Sequence, residues 1–169
     1  MRALLDGDLY AFRSAASAEN DNAGIAIYRV EEMIDRTLAE LTDVEEFSIF
    51  LSGDTNFRYQ VYPEYKANRT PIKPQFLQVV KDYLIEKYKA QISVDCEADD
   101  LLGIEQCSAP PLSTIICSLD KDLRMIPGYH YSWEIKGTSK YGKEWSRPME
   151  IANVTPADAL RTFYTQLLV

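Results

Sequence analysis

Apolar positions along the chain fall into short dense runs separated by polar turns. Residues 2–5 (RALL) form an apolar run that stops at Asp6-Gly7-Asp8, which reads as a buried strand ending in a polar turn. Residues 24–41 carry Ile27, Val30, Ile34, Leu38 and Leu41 at helical spacing. Glu46 to Ser52 (EFSIFLS) reads as a second strand, followed by Gly53-Asp54. Pro63, Pro71 and Pro74 make residues 59–75 a loop, with room for helical turns between the prolines. Residues 75–89 read as a helix, Ile92 to Asp95 as a short strand, and Glu97 to Cys107 as a helix whose acidic first turn suits the helix dipole. After Pro110-Pro111 comes a strong strand, Ser113 to Ser118, and then Asp120 and a short helix that stops at Pro127. Residues 129–135 alternate like a strand, residues 137–148 form a basic loop or hairpin, and Thr155 caps a last helix with Pro156 in its first position, running to Val169. Strands and helices alternate, which predicts an α/β fold: a mostly parallel sheet with helices on both faces.

At 169 residues the chain has the size of one ordinary domain, and 46% apolar with 26% charged residues is globular composition. No apolar run approaches the roughly 20 residues that cross a bilayer, and the N-terminus lacks the pattern of a signal peptide, so a cytoplasmic protein is expected. Cys96, Cys107 and Cys117 show no C-x-x-C spacing and are expected to be buried reduced thiols. The single histidine, His130, excludes chemistry that needs a histidine pair or a zinc triad. The net charge is −8, but it is unevenly spread: residues 56–91 carry +4 and residues 121–147 carry +3, so the acids are concentrated elsewhere. Such a chain can hold metal with one part and a polyanion with another.

The acids matter by position. Asp6, Asp54 and Asp120 each follow a strand run closely, and ligands of open α/β sheets bind beyond the carboxyl ends of the strands. Glu97, Asp99 and Asp100 open a helix that faces the same edge, and Asp122 reaches the same region. Seven carboxylates in one crevice, with few basic residues beside them, call for hard divalent cations, Mg²⁺ or Mn²⁺, since every ligand is oxygen. Two such ions form a clamp for phosphodiester cleavage. D-G-D after a strand is also found in haloacid-dehalogenase phosphatases, but here Leu9-Tyr10 follows and no suitable Lys-then-Asp-Asp order appears downstream.

Between the second strand and the next helix lies FRYQVYPEYKANRTPIKP, residues 57–74. Lys66 and Arg69 share one face if the segment is helical, and Tyr65 sits beside them. With Arg58 and Lys73 they supply the cations and the aromatic ring that a single-stranded nucleic-acid end requires. In order, LLDGDLYAFR (Leu4 to Arg13), LSGDTNFR (Leu51 to Arg58), PEYKANR (Pro63 to Arg69), CEADDLLG (Cys96 to Gly103) and CSLDKDLRMIPG (Cys117 to Gly128) resemble the 5′-nuclease superfamily. That superfamily includes flap endonucleases, phage 5′–3′ exonucleases and the 5′-nuclease domain of DNA polymerase I, and D-G-D at Asp6 to Asp8, in place of the more usual D-G-x, resembles the phage enzymes.

The resemblance implies a three-layer, PIN-like (Rossmann-like) sheet forming one catalytic core over residues 1–169, with residues 57–74 as an arch or clamp. It implies a divalent-metal-dependent 5′–3′ exonuclease or flap endonuclease, acting on DNA 5′ ends, flaps or nicks in replication or repair, with RNA in hybrids as a further substrate. The family pattern assigns Asp6, Asp54, Glu97, Asp99, Asp100 and Asp120 to a first metal site and Asp122 to a second. It places Tyr65, Lys66 and Arg69 beside the scissile phosphate, and Asp8 has no fixed role. The family continues into a G-D-x-x-D-N segment and a helix-hairpin-helix. The chain given ends at Leu167-Leu168-Val169, so the resemblance implies an incomplete second site, in either a fragment or a short version that uses a partner chain. A monomer of a bacterial or phage-infected cell is expected. A non-cleaving 5′-end or flap-binding module and a PIN-type ribonuclease remain open as alternatives.

Overall fold

The computed structural model describes residues 1–67 and 72–167. Strand β1 (Arg2–Asp6) lies at the centre of the sheet, paired in parallel with β2 (Glu46–Leu51) on one side and β4 (Thr114–Cys117) on the other. The two-residue β3 (Gln91–Ile92) extends the β2 side, and β5 (Gly128–Ser132) extends the β4 side, both parallel. A sixth strand, β8 (Glu150–Val154), closes the order β3-β2-β1-β4-β5-β8 antiparallel to β5. A separate antiparallel hairpin is made by β6 (Ile135–Thr138) and β7 (Glu144–Arg147).

Alternate side chains of the central strands go to opposite faces, as the pleat requires. Ala3, Leu5, Ile49, Leu51, Ile115 and Cys117 pack with helices α1 (Gly7–Ser17), α2 (Ala23–Glu40) and α4 (Leu77–Tyr88). Leu4, Phe50 and Ile116 pack on the other face with Ala98 and Leu102 of α5 (Ala98–Ser108), and with Leu123 of a short 3-10 helix (Lys121–Met125). The result is the expected three-layer α/β arrangement. Helix α3 is a single turn (Arg58–Val61), and α6 (Pro156–Leu167) packs on the 3-10 helix.

Several elements differ from the sequence reading. Gly7-Asp8 is no turn: β1 passes directly into α1, with Asp6 as its N-cap accepting a hydrogen bond from Leu9 N at 3.1 Å. The junction works because residue 7 is glycine. A Cβ there would sit 2.5 Å from the Phe50 carbonyl oxygen and 2.7 Å from Ile49 Cγ2. Strand 92–95 shrinks to Gln91–Ile92, and the 129–135 run divides into β5 and the start of β6. The β8 edge strand had no clear signal. Of the three free thiols only Cys117 is buried; Cys96 is half-buried and Cys107 exposed. His130 is buried in β5, hydrogen-bonded to the Ile126 carbonyl, and burial lowers its pKa. No described helix is long and apolar enough to cross a membrane.

Candidate metal and phosphate site

Because β1, β2 and β4 run parallel, their carboxyl ends open on one edge, and the acids are delivered there by chain geometry. Asp6 ends β1, Asp8 lies in the first turn of α1, Asp120 caps the 3-10 helix after β4, and Glu97, Asp99 and Asp100 open α5. Two serines that follow strands, Ser52 and Ser118, arrange them. The Ser118 hydroxyl donates to Asp6 Oδ2 at 2.7 Å and accepts from Asp120 N at 3.0 Å. Ser52 N donates to Asp8 Oδ2 at 2.9 Å, while its hydroxyl accepts from Ala98 N at 3.0 Å and so ties α5 to the end of β2. Sequence reasoning passed over both serines. Their signal was present: each is the first residue beyond a strand, two before an aspartate.

Burial and mutual repulsion dominate the electrostatics. Asp99 accepts no hydrogen bond among the described residues, and its pKa is pushed up to about 7, first by burial and then by the charges of Asp6, Asp120, Glu97 and Asp8. Asp6 is 5% exposed and is raised to about 6 by burial, against the pull of its hydrogen bonds from Ser118 and Leu9. Five acids therefore feel one another across this edge.

Three acids of this edge, two of them among those five, are paired with cations. Arg58 grips Asp100 with two hydrogen bonds of 2.6 and 2.8 Å, and this pairing lowers the Asp100 pKa. Lys66 Nζ lies 2.5 Å from Glu97 Oε1, and Tyr65 Oη donates to Glu97 Oε2 at 3.0 Å. Lys81 Nζ lies 2.5 Å from Asp8 Oδ1, an ion pair off the hydrogen-bonding direction, so this buried oxygen has charge compensation without a true hydrogen bond. Asp122 accepts from Gln166 of α6 at 2.7 Å. Asp54 is exposed and is not among the charges that chiefly raise Asp6 and Asp99.

These pairings correct the expectation of seven carboxylates converging with few basic neighbours. Among the described residues, no three acid, histidine or cysteine side chains are grouped so as to hold a metal ion as they stand. The physical reason is that Arg58, Lys66 and Lys81 draw Asp100, Glu97 and Asp8 toward themselves. The fit to a hard divalent cation still holds for what remains. Asp99, half-buried and repelled by four other acids, lacks compensation that an all-oxygen donor set would obtain from such an ion.

Residues 57–67 bring aromatic and cationic groups to the same place. Arg58 stacks over Phe57 (4.9 Å to the centroid), and Lys66 lies 5.1 Å from the Tyr65 ring. Lys66 has φ +57°, so the backbone is not helical at that residue, and the expected face shared with Arg69 extends beyond the described residues. Arg69 lies outside the described residues. Lys73 is exposed and makes no ion pair among them.

Residues 2–145 match the family described as 5′-3′ exonuclease, N-terminal resolvase-like domain. The chain belongs to this family. DNA polymerase I of Bacillus caldotenax and that of Geobacillus stearothermophilus are each 27% identical over 146 residues. The match takes in 78% of this chain and 16% of either polymerase, so the chain spans about one sixth of the length of these curated relatives. Among solved structures, bacteriophage T5 5′-exonuclease with bound zinc superposes with TM-score 0.60 at 17% identity, covering 86% of this chain and 58% of the T5 chain. The T5 D15 flap endonuclease in a complex with DNA and metal ions gives TM-score 0.58 at 14% identity, covering 85% and 57%. This family member thus has the PIN-like fold of the T5 enzymes.

Proposed function

We propose that this 5′-3′ exonuclease family chain is the catalytic core of a divalent-metal-dependent 5′-nuclease. It cleaves phosphodiesters at DNA 5′ ends, flaps or nicks, in replication or repair, in the cytoplasm of a bacterial or phage-infected cell. The supporting observation is Asp99: a half-buried carboxyl with a pKa near 7, facing Asp6, Asp8, Glu97 and Asp120, with the cations of the arch beside it. Asp6, Glu97, Asp99, Asp100 and Asp120 would hold the first ion, joined by Asp54, and Asp122 would contribute to a second. Bound there, Mg²⁺ or Mn²⁺ supplies an activated water and steadies the leaving oxygen.

The chain's own residues do the rest. Lys66 and Arg58, now paired with Glu97 and Asp100, exchange carboxylate for phosphate oxygens and neutralise the charge that builds at the scissile group. Lys73, and Arg69 as the family resemblance implies, would add cations for the incoming strand, and the Tyr65 ring offers a face for the terminal base. Ser118 holds Asp6 and Asp120 in fixed relation. The core acts as a monomer on DNA, with RNA–DNA hybrids as a second substrate class.

One observation favours a second reading. Three of the acids are already neutralised by Arg58, Lys66 and Lys81, as in a module that recognises a 5′ end without cutting it. Internally labelled flap DNA with Mg²⁺ or Mn²⁺ separates the two. Product from the wild-type chain, lost in Asp99→Asn and Asp120→Asn, supports the nuclease. Tight binding without product at long incubation refutes it in favour of the module, and a strong preference for single-stranded RNA points instead to a PIN-type ribonuclease.

A further inference from the structure

The β6–β7 hairpin takes no part in the site just described, yet its surface is built for contact. It leaves the sheet from the end of β5, which runs parallel to β4 with Tyr131 opposite Cys117, so it rises from the edge that carries Asp6 and Asp120. Trp145 pairs across the hairpin with Gly137. A Cβ at Gly137 would meet the indole at 2.7 Å (Cζ2) and 2.8 Å (Cε2), so the absence of a side chain lets the ring lie against the opposite strand. The other side of the indole is open, and the residue is 49% exposed. The chain's other tryptophan, Trp133, is in the core.

Cations surround this platform. Tyr141 at the hairpin tip is 83% exposed, and Lys140 Nζ lies 4.9 Å from its ring centroid. Lys140, Lys143 and Arg147 make no ion pair among the described residues, whereas Lys136 is tied to Glu134 at 2.9 Å. At the root of the hairpin, Arg147 lines a cavity of about 190 Å³ together with Asp120, Lys121, Arg124 and Glu150, the last two ion-paired at 2.5 Å, which leaves Lys121 and Arg147 as its unpaired cations among the described residues. A positive track therefore connects the carboxylate edge to an ordered, half-open aromatic face. That combination suits an unpaired nucleic-acid strand, whose phosphates need cations and whose bases need a flat apolar surface.

We propose that the hairpin is a second nucleic-acid contact. An unpaired strand passing the carboxylate edge lays its phosphates along Lys121, Arg147, Lys143 and Lys140 and stacks one base on Trp145. This rests on the reading above for nucleic acid as the ligand, and not for its cleavage. The test is binding of a fluorescein-labelled oligothymidylate to the full chain in EDTA, followed by anisotropy and by tryptophan emission. Emission should be quenched on binding. Trp145→Ala should weaken binding about 5- to 160-fold, as expected for loss of one stacked base, while Trp145→Phe retains most of the affinity. The double variant Lys140→Ala/Lys143→Ala leaves the Trp145–Gly137 packing untouched and should flatten the dependence of log K on log salt by about 1.4. Affinities within twofold of wild type in both Trp145→Ala and the lysine variant overturn the hairpin contact, as does tighter binding of blunt duplex that is indifferent to Trp145. If the wild type cuts flaps while these variants bind normally, only the hairpin contact falls. If the wild type binds no DNA, both readings fall.

Discussion

Asp99→Asn is expected to stabilise the metal-free protein while abolishing its response to divalent ions. A carboxyl that titrates near 7 in the folded chain and near 3.8 when unfolded costs the fold about 4 kcal/mol once fully ionised. Relaxation of neighbouring acids and entry of water reduce the recoverable part to about 2 kcal/mol, or about 4–8 °C in Tm for a chain of this size. The direction in pH follows from the raised values of Asp99 and Asp6. The folded state binds their protons more firmly than the unfolded state, so stability falls as pH rises from about 4 to about 7 and is level above that. Asp100, Glu31 and Glu150 have lowered values and act with the opposite sign, costing stability only on the acid side of that window. Thermal melts in EDTA across this range should show the wild type losing stability toward neutral pH, with a shallower loss in Asp99→Asn. Added Mg²⁺ should then raise the wild-type Tm at neutral pH, by about 2.7 kcal/mol of stability at a hundredfold excess over Kd, and leave the variant nearly unmoved. A flat wild-type profile in EDTA, or a destabilised variant with an intact Mg²⁺ response, would refute the shared-field argument.

Two other substitutions probe the site and its frame. Lys66→Ala should raise KM for flap DNA and lower kcat while leaving the Mg²⁺-induced rise in Tm intact or larger, because Glu97 loses a competing cation; loss of that rise would show Lys66 to be structural. Gly7→Ala should destabilise the fold by about 3 kcal/mol in urea titrations, since the new methyl group would press on the Phe50 carbonyl and on Ile49; a neutral outcome would mean the β1–α1 junction can shift freely.

What could be read from the chain depended on how local the cause was. Strands β1 and β4 and the second half of β2 are apolar runs because they are buried on both faces, and that signal is contained within each segment. Helix α1 was hidden. Its buried face carries one large residue, Tyr10, among small or polar ones (Gly7, Ala11, Ser14, Ala15), which give little amphipathic contrast, and its Gly-Asp start mimics a turn. Strand β8 has only one buried residue, Val154, and exists because β5 offers an edge to pair with. The acids were legible because strand ends place them. The partners of Asp100, Glu97 and Asp8 were not, since Arg58, Lys66 and Lys81 reach them from 42, 31 and 73 positions away, a distance that only the folded chain closes.

The hydroxyl of Ser118 has a consequence for any mutational dissection of this edge. One small group clamps the carboxylate of Asp6 and the backbone of Asp120 at once, so these two acids share a hinge pin and are not independent parts. Deleting either should loosen the other, and paired substitutions should therefore cost less than their separate effects combined.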